Sequence, residues 1–238
     1  MKWTILSDIW KLFFPPCCVL CGRRLVGSEE HLCLRCLVRL PRTRLHLRKD
    51  NVVEKNFWGK FPVKRATAYF RYAKGNDVSR MVYELKYYGN WRLGIFLGKC
   101  VANELLPDGF FREIDYIVPV PLHERKQKER GYNQSEILAQ GISSVTGIPV
   151  FKGLIVRKQY TETQTHKGGY ERWMNVEGVF ECVSAKELEG KHILFVDDVL
   201  TTGATMVACA DALGPVPGLQ ISVLVALYSQ LRAVLTWS

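Results

Sequence analysis

Apolar residues fill four successive positions at Ile193-Leu194-Phe195-Val196, and two carboxylates, Asp197 and Asp198, follow at once. A short unbroken apolar run reads as a strand buried on both faces, and the acids stand where it should end. Thr201, Thr202, Gly203, Ala204 and Thr205 then make a small-residue turn into a helical pattern from Met206 to Leu213. Ala66 to Tyr72 alternates as a strand does, with Lys74-Gly75-Asn76 as its turn. Tyr116 to Pro121, Val150 to Val156, Val179 to Val183 and Leu219 to Tyr228 are further strand-like runs. Helical periodicity covers about 77–88 and 92–106, and another helix, capped by Asn133 or Ser135, runs to about Thr146. Near the start, Trp3, Leu6, Ile9, Trp10 and Phe13 lie at helical spacing until Pro15-Pro16 stops them, so a short amphipathic helix is expected to pack on the body. Strands alternating with helices predict an α/β fold with a mainly parallel sheet covered on both faces.

The composition is ample for a core, with 47% hydrophobic residues in 238. Mean hydropathy is −0.04, and the chain lacks the apolar run of about 18 residues that a spanning helix needs. Asp8 and Lys11 interrupt the apolar start, and a small-x-small cleavage pattern is missing, which argues against a signal peptide. A cytoplasmic chain is the expectation. Its eight cysteines are then metal ligands and buried thiols rather than disulfides. Cys100, Cys182 and Cys209 read as core.

Charge changes the picture more. Residues 1–65 hold 14 Lys/Arg against 5 Asp/Glu, whereas residues 66–238 hold 19 against 18, so the front quarter carries nearly all of the +10. A surface of that sign attracts polyanions. Within it, Cys18-x-x-Cys21 and Cys33-x-x-Cys36 form two C-x-x-C pairs, the spacing of a structural four-cysteine zinc ribbon with no open coordination position. Cys17 competes with Cys18 for the first ligand, the C-x-x-C spacing favouring Cys18, and His31 is a less suitable intruder. Arg23, Arg24, Arg35, Arg39, Arg42 and Arg44 decorate the ribbon, and Lys55, Phe57, Trp58, Lys60 and Phe61 interleave cations with rings. Two readings of the latter stand: rings that stack single-stranded nucleic acid, or a linker whose rings pack on the body.

The adjacent carboxylates need hydroxyls or a cation to satisfy them. A ribose diol with Mg2+ supplies both. The stretch therefore reads as a ribose 5-phosphate grip, with the diol on Asp197 and Asp198 and the phosphate on Thr201, Thr202, Gly203, Ala204 and Thr205 at a helix N-terminus. Gly94 to Lys99 has the wrong spacing for a phosphate loop and lies in a helical pattern. A second anion cradle follows the Tyr116–Pro121 strand, where Pro121, Leu122, His123 and Arg125 would face a pyrophosphate and Lys126, Lys128 and Arg130 add charge. Lys86 reads as a solvated lysine. Residues from Arg157 through Gln164 and Arg172 form a polar segment too long for an ordinary connection, which suggests a lid.

These blocks together resemble the ComF family: the two C-x-x-C pairs, Lys86-Tyr87, Val118-Pro-Val-Pro-Leu122, Arg130-Gly-Tyr-Asn-Gln134, Arg157 with Thr163-Gln164, Arg172 with Asn175, and Val196-Asp-Asp-Val-Leu-Thr-Thr-Gly-Ala-Thr205. Leu200 is a small departure. The resemblance implies a type I phosphoribosyltransferase-like fold, binding of 5-phosphoribosyl 1-pyrophosphate (PRPP) with Mg2+, and handling of internalised single-stranded DNA in natural competence, beside a competence helicase as partner. It leaves the acceptor open, and with it whether the chain is an enzyme; a small-molecule phosphoribosyltransferase without DNA binding is the alternative. The organisation expected is an N-terminal helix at 1–16, the ribbon at 17–45, a basic linker at 46–65 and the phosphoribosyltransferase-like domain at 66–238.

Overall fold

The computed structural model describes residues 15–73, 75, 77–157 and 179–229. The expected N-terminal helix and the lid residues Gln164 and Arg172 lie outside them. In chain order the elements are α1 (Leu34–Arg39), α2 (Val52–Lys55), β1 (Val63–Tyr72), α3 (Asp77–Tyr87), α4 (Trp91–Leu105), β2 (Tyr116–Pro119), α5 (Glu124–Arg130), α6 (Gln134–Thr146), β3 (Ile155–Arg157), β4 (Phe180–Cys182), β5 (His192–Leu200), α7 (Ala204–Leu213) and β6 (Gln220–Ser229). The main sheet has four strands in the order β1-β6-β5-β2, all pairs parallel, and β3 and β4 form a separate antiparallel pair. The predicted α/β fold, a parallel sheet flanked by helices with a cysteine cluster at the front, is what the chain forms.

Side-chain alternation divides the apolar run of β5 between two cores. Leu194 and Val196 face α3, α4, α6 and the ribbon, while Ile193 and Phe195 face α2, α7 and the β3–β4 pair. β6 is split the same way, Leu224 to one side and Val223 and Val225 to the other. Helix α4 lies against α6 so closely that a Cβ on Gly98 or Gly141 would enter the partner's backbone. The glycine at Gly98 therefore serves packing, which is why its spacing fits no phosphate loop.

Four expectations change. Strand β5 does not end at the acids: its pairing with β6 continues to Leu200↔Tyr228, because β6 is long enough to carry it. Only Ile155–Arg157 of the Val150–Val156 run is a strand; Gly153, at φ +73°, turns the chain first, and Val150 makes a lone bridge to Ile117. The basic stretch after Pro121 is a helix, α5, rather than a loop. Finally, the 46–65 segment contains α2, with a complete capping box on Asn51 and Glu54. Its Phe57 is fully buried in the second core with Phe61 tilted against it, so packing wins for these two rings while Trp58 stays 54% exposed.

Candidate functional site

The site lies where β2 stops and β5 does not. Pairing between them ends at Pro119↔Val196, and Pro119 and Pro121 have no N–H to continue it. Beyond Val196 one edge of β5 is open, and a cavity of about 480 Å³ occupies the space. Asp197, Asp198, Thr201 and Thr205 line it, as do Pro121 and Leu122, beyond the carboxyl ends of the parallel strands.

The two carboxylates are held differently. Asp197 Oδ1 accepts from Ser135 Oγ at 2.8 Å and from the N–H of Asp198 at 2.8 Å. Burial first, and then the charge of Asp198, push the Asp197 carboxyl far above its ordinary range, to about 7. Asp198 instead makes an ion pair with Lys86 Nζ at 2.7 Å, both side chains about one-fifth exposed. The lysine expected in solvent is thus drawn into the site from the end of α3. Its placement is enforced by the block around Tyr132: the Tyr132 hydroxyl donates to the carbonyl of Leu85 at 2.5 Å and Gln134 Nε2 donates to the same oxygen at 3.3 Å. Asn133 caps α6 through Ser135 N and donates to Val120 O at 3.0 Å, fixing both walls.

Three further cations reach the same cavity: Lys126 and Arg130 from α5, and Arg157 from β3. The Lys126 ammonium is pushed down by burial first and then by the charges of Arg130, Arg157 and Lys86. Arg157, stacked over Phe180 at 5.3 Å, is likewise lowered by burial. Cations brought together from separate elements in this way suit a multiply charged anion. His123 and Arg125, expected in this role, are used otherwise. His123 Nδ1 caps α5 by accepting from Arg125 N, and Arg125 pairs along the helix with Glu129 at 3.2 Å.

The turn at 201–205 leads into α7 through Gly203, at φ +78°. Thr202 O accepts from Asn56 Nδ2 at 3.1 Å, and a Cβ on Gly203 would collide with Asn56 and Phe57. The segment read as a linker is therefore the floor under the turn. Gly203 brings no capping side chain to α7, and Ala204 N reaches only Thr202 Oγ1, at 3.4 Å, so the first-turn N–H groups are left to a ligand. Thr201 and Thr205 face the cavity; Thr202, Gly203 and Ala204 shape the turn behind them.

In the ribbon, one sulfur from each of Cys18, Cys21, Cys33 and Cys36 lies within 4.8 Å of every other, and Cys21 Sγ to Cys33 Sγ is 3.7 Å. At about 2.3 Å per Zn–S bond a tetrahedron places its sulfurs close to that spacing, so the donor set fits zinc. Cys17 is exposed, with its Sγ directed at Pro15 O, and stands outside the cluster; so does His31, whose ring packs on Phe96. Ribbon residues Leu20, Leu25 and Leu32 share the first core with Val78 and Met81 of α3.

The expected nucleic-acid residues are held in different ways. Arg42 is tied to Glu104 at 2.7 Å and packs over Tyr69, and Arg23 pairs with Glu29 at 2.9 Å. Arg24, Arg35, Arg39 and Arg44 are exposed on the ribbon and its exit, while Lys55 lies 5.7 Å over the exposed Trp58 ring, two residues before the exposed Lys60. No helix among the described residues is long and apolar enough to cross a membrane.

No protein-family model matches the chain. Competence protein F of Haemophilus influenzae is 37% identical over 91 residues, 38% of this chain and 40% of that protein. The DNA utilization protein YhgH of Escherichia coli K12 is 28% identical over 199 residues, 82% of this chain and 83% of that one. Competence protein ComFC of Bacillus subtilis is 31% identical over 104 residues, 44% of this chain and 38% of its own length. Among solved structures, adenine phosphoribosyltransferase of Leishmania tarentolae covers 67% of this chain and 90% of its own at 10% identity and a TM-score of 0.38. The glutamine PRPP amidotransferase of B. subtilis covers 55% and 25% at 23% identity and a TM-score of 0.35.

Proposed function

We propose that the chain is a ComF-family protein, as its likeness to competence and DNA utilization proteins supports, and that its cleft binds PRPP while the protein handles internalised single-stranded DNA in the cytoplasm, with a helicase as the expected class of partner. One observation carries the ligand assignment: four cations from three separate elements converge on a cavity that also holds two adjacent acids and a helix N-terminus without a capping side chain. PRPP has one group for each. Its 5-phosphate matches the Thr201–Thr205 turn, its diol matches Asp197 and Asp198, and its pyrophosphate matches Lys126, Arg130 and Arg157.

In this proposal Ser135 and the Asp198 N–H keep Asp197 turned towards the diol, and Lys86 balances Asp198 until the ligand enters. The carboxylate oxygens are hard donors of the kind Mg2+ takes, and the ion would neutralise the pyrophosphate when bound. If a nucleophilic acceptor takes the phosphoribosyl group, its bond to the ribose C1 forms as the bond from C1 to the pyrophosphate oxygen breaks, and positive charge develops at C1 between the two. Lys126, Arg130 and Arg157 then hold the departing anion, so catalysis is positioning and charge neutralisation without a covalent nucleophile. The zinc ribbon, 17–45, acts as a structural head on the phosphoribosyl-binding body, 66–238, and takes no part in chemistry. DNA handling is supported by the exposed ribbon arginines and by the names of the relatives.

Calorimetry of PRPP with and without Mg2+ tests the cleft. Micromolar binding that Asp198→Ala and Arg157→Ala each weaken at least tenfold is expected; equal binding by these variants removes the assignment. Pyrophosphate release on mixing PRPP with bases or oligonucleotides separates a transferase from a ligand-gated DNA-binding protein. Release with small bases and no affinity for oligonucleotides would favour the salvage alternative.

A further inference from the structure

Of the five strongly exposed aromatic side chains among the described residues, four fall within nine positions: Tyr83 at 58%, Tyr87 at 69%, Tyr88 at 73% and Trp91 at 40%. Nothing in the cleft uses them. They sit on the outer face of α3, just past its end, and on the first residue of α4. The rings of Tyr83 and Tyr87 are tilted against each other at 39° with centroids 5.5 Å apart, and the Arg92 guanidinium lies 4.6 Å over the Trp91 ring. Arg80, Tyr83 and Tyr88 line a hollow of about 530 Å³ beside them.

Their position relative to the cleft is fixed by helical geometry. Val82 and Lys86 line the cleft, and Tyr83 and Tyr87 follow each by one residue, about 100° further round α3. Tyr83 and Tyr87 therefore lie on the face of α3 next to the one that lines the cavity. Four water-exposed rings within nine positions are costly to leave bare and suit a surface that receives a partner. Cations accompany the rings: Arg92 on Trp91, and Arg80, which also donates to Leu20 O of the ribbon at 2.8 Å. Two acids are near. Glu84 is occupied by Asn90, whose Nδ2 donates to it at 3.4 Å, and Asp77 lies at the far end of the hollow.

We propose that Tyr83, Tyr87, Tyr88 and Trp91, along α3 and the start of α4, are a base-stacking platform that seats a single-stranded nucleic acid on the side of the protein next to the helix face that lines the phosphoribosyl cleft. The proposal rests on the nucleic-acid role argued above and gives it a place that the ribbon arginines alone do not. Separate rings with an arginine over one of them suit bases and phosphates in alternation, whatever the sequence. Arg80 and Arg92 beside the rings suit the phosphates of a polyanion, and bases to stack set a nucleic acid apart from an acidic face of another protein.

The test uses the full chain, fluorescein-labelled oligo(dT) of about 20 nucleotides, and an abasic strand of equal length. Tyr87→Leu/Tyr88→Leu should weaken oligo(dT) binding by on the order of tenfold or more, towards the abasic level, with little change in the salt slope. Tyr87→Phe/Tyr88→Phe should restore it, because stacking needs the ring and not the hydroxyl. PRPP calorimetry on the same variants reports whether the fold and cleft are intact. Unchanged oligo(dT) affinity in a Leu variant that still binds PRPP overturns the platform, as does equal binding of abasic and base-bearing strands by the wild type. Absence of any oligonucleotide binding by the wild type instead sinks the underlying nucleic-acid role, and loss in Arg48→Ala/Lys49→Ala with none in the Leu variant moves the strand to the basic loop before α2.

Discussion

The ribbon gathers four thiols and the cleft six charged groups around one centre, but they collect them from opposite distances in the chain. The ribbon's thiols come from one 19-residue stretch, Cys18 to Cys36, bent by two tight knuckles. The cleft takes Lys86 from α3, Lys126 and Arg130 from α5, Arg157 from β3, and its acids from β5. A local site can be complete as soon as its own turns form. A dispersed one exists only after the sheet has registered, so its groups must be held by intermediaries such as Tyr132 on Leu85 or Ser135 on Asp197. The first kind contributes to folding, and the second depends on it.

Removing metal from the ribbon should give the largest effect. Because its leucines share the first core with α3, stripping zinc or substituting Cys33→Ser should cost about 3–5 kcal/mol, on the order of 10 °C in Tm, read by calorimetric unfolding with zinc analysis. A Tm unchanged by chelation would mean that the ribbon is a passenger. Next, Gly203→Ala should cost roughly 1–3 kcal/mol and weaken PRPP more than it destabilises the chain, since the residue needs φ +78° and abuts Asn56 and Phe57. Equal loss in both measurements would reduce the turn to scaffolding.

Smaller effects come from the intermediaries. Tyr132→Phe deletes one of the two donors to Leu85 O and should cost about 1 kcal/mol while weakening PRPP several-fold through Lys86, as calorimetry on the variant would report. The pH dependence follows from Asp197. Its folded pKa, about 7, lies above the ordinary carboxylate value, so its protonated form is the more stable in the fold. That contribution is complete below about pH 4 and is lost as pH rises through 7. Asp197→Asn should therefore match the wild type in Tm near pH 4 and exceed it by a few degrees at pH 8. Ligand binding has the opposite slope: diol and cation need the ionised pair, so wild-type PRPP affinity should climb between pH 6 and 8. A flat profile would place the diol elsewhere.

The cysteine spacings, the apolar run of β5 and the acid–threonine turn each act through neighbours a few residues away, and the sequence alone determined them. It also determined the alternation of strands and helices that makes the sheet parallel. The tertiary structure decided which cation faces which anion. His123 and Arg125 lie closest in sequence to the strand end, yet one caps α5 and the other pairs with Glu129, because a helix rather than a loop follows Pro121 and turns Lys126 and Arg130 inward. Lys86 looks like any helix-end lysine until Tyr132 and Gln134, 46 and 48 positions later, clamp the carbonyl before it. Phe57 and Trp58 are equal in the sequence, and only the floor under Thr202 separates the buried ring from the exposed one. The physical reason is range: hydrogen-bonded turns and side-chain periodicity are fixed within a few residues, whereas ion pairing and burial depend on which distant segments packing brings within a few ångströms.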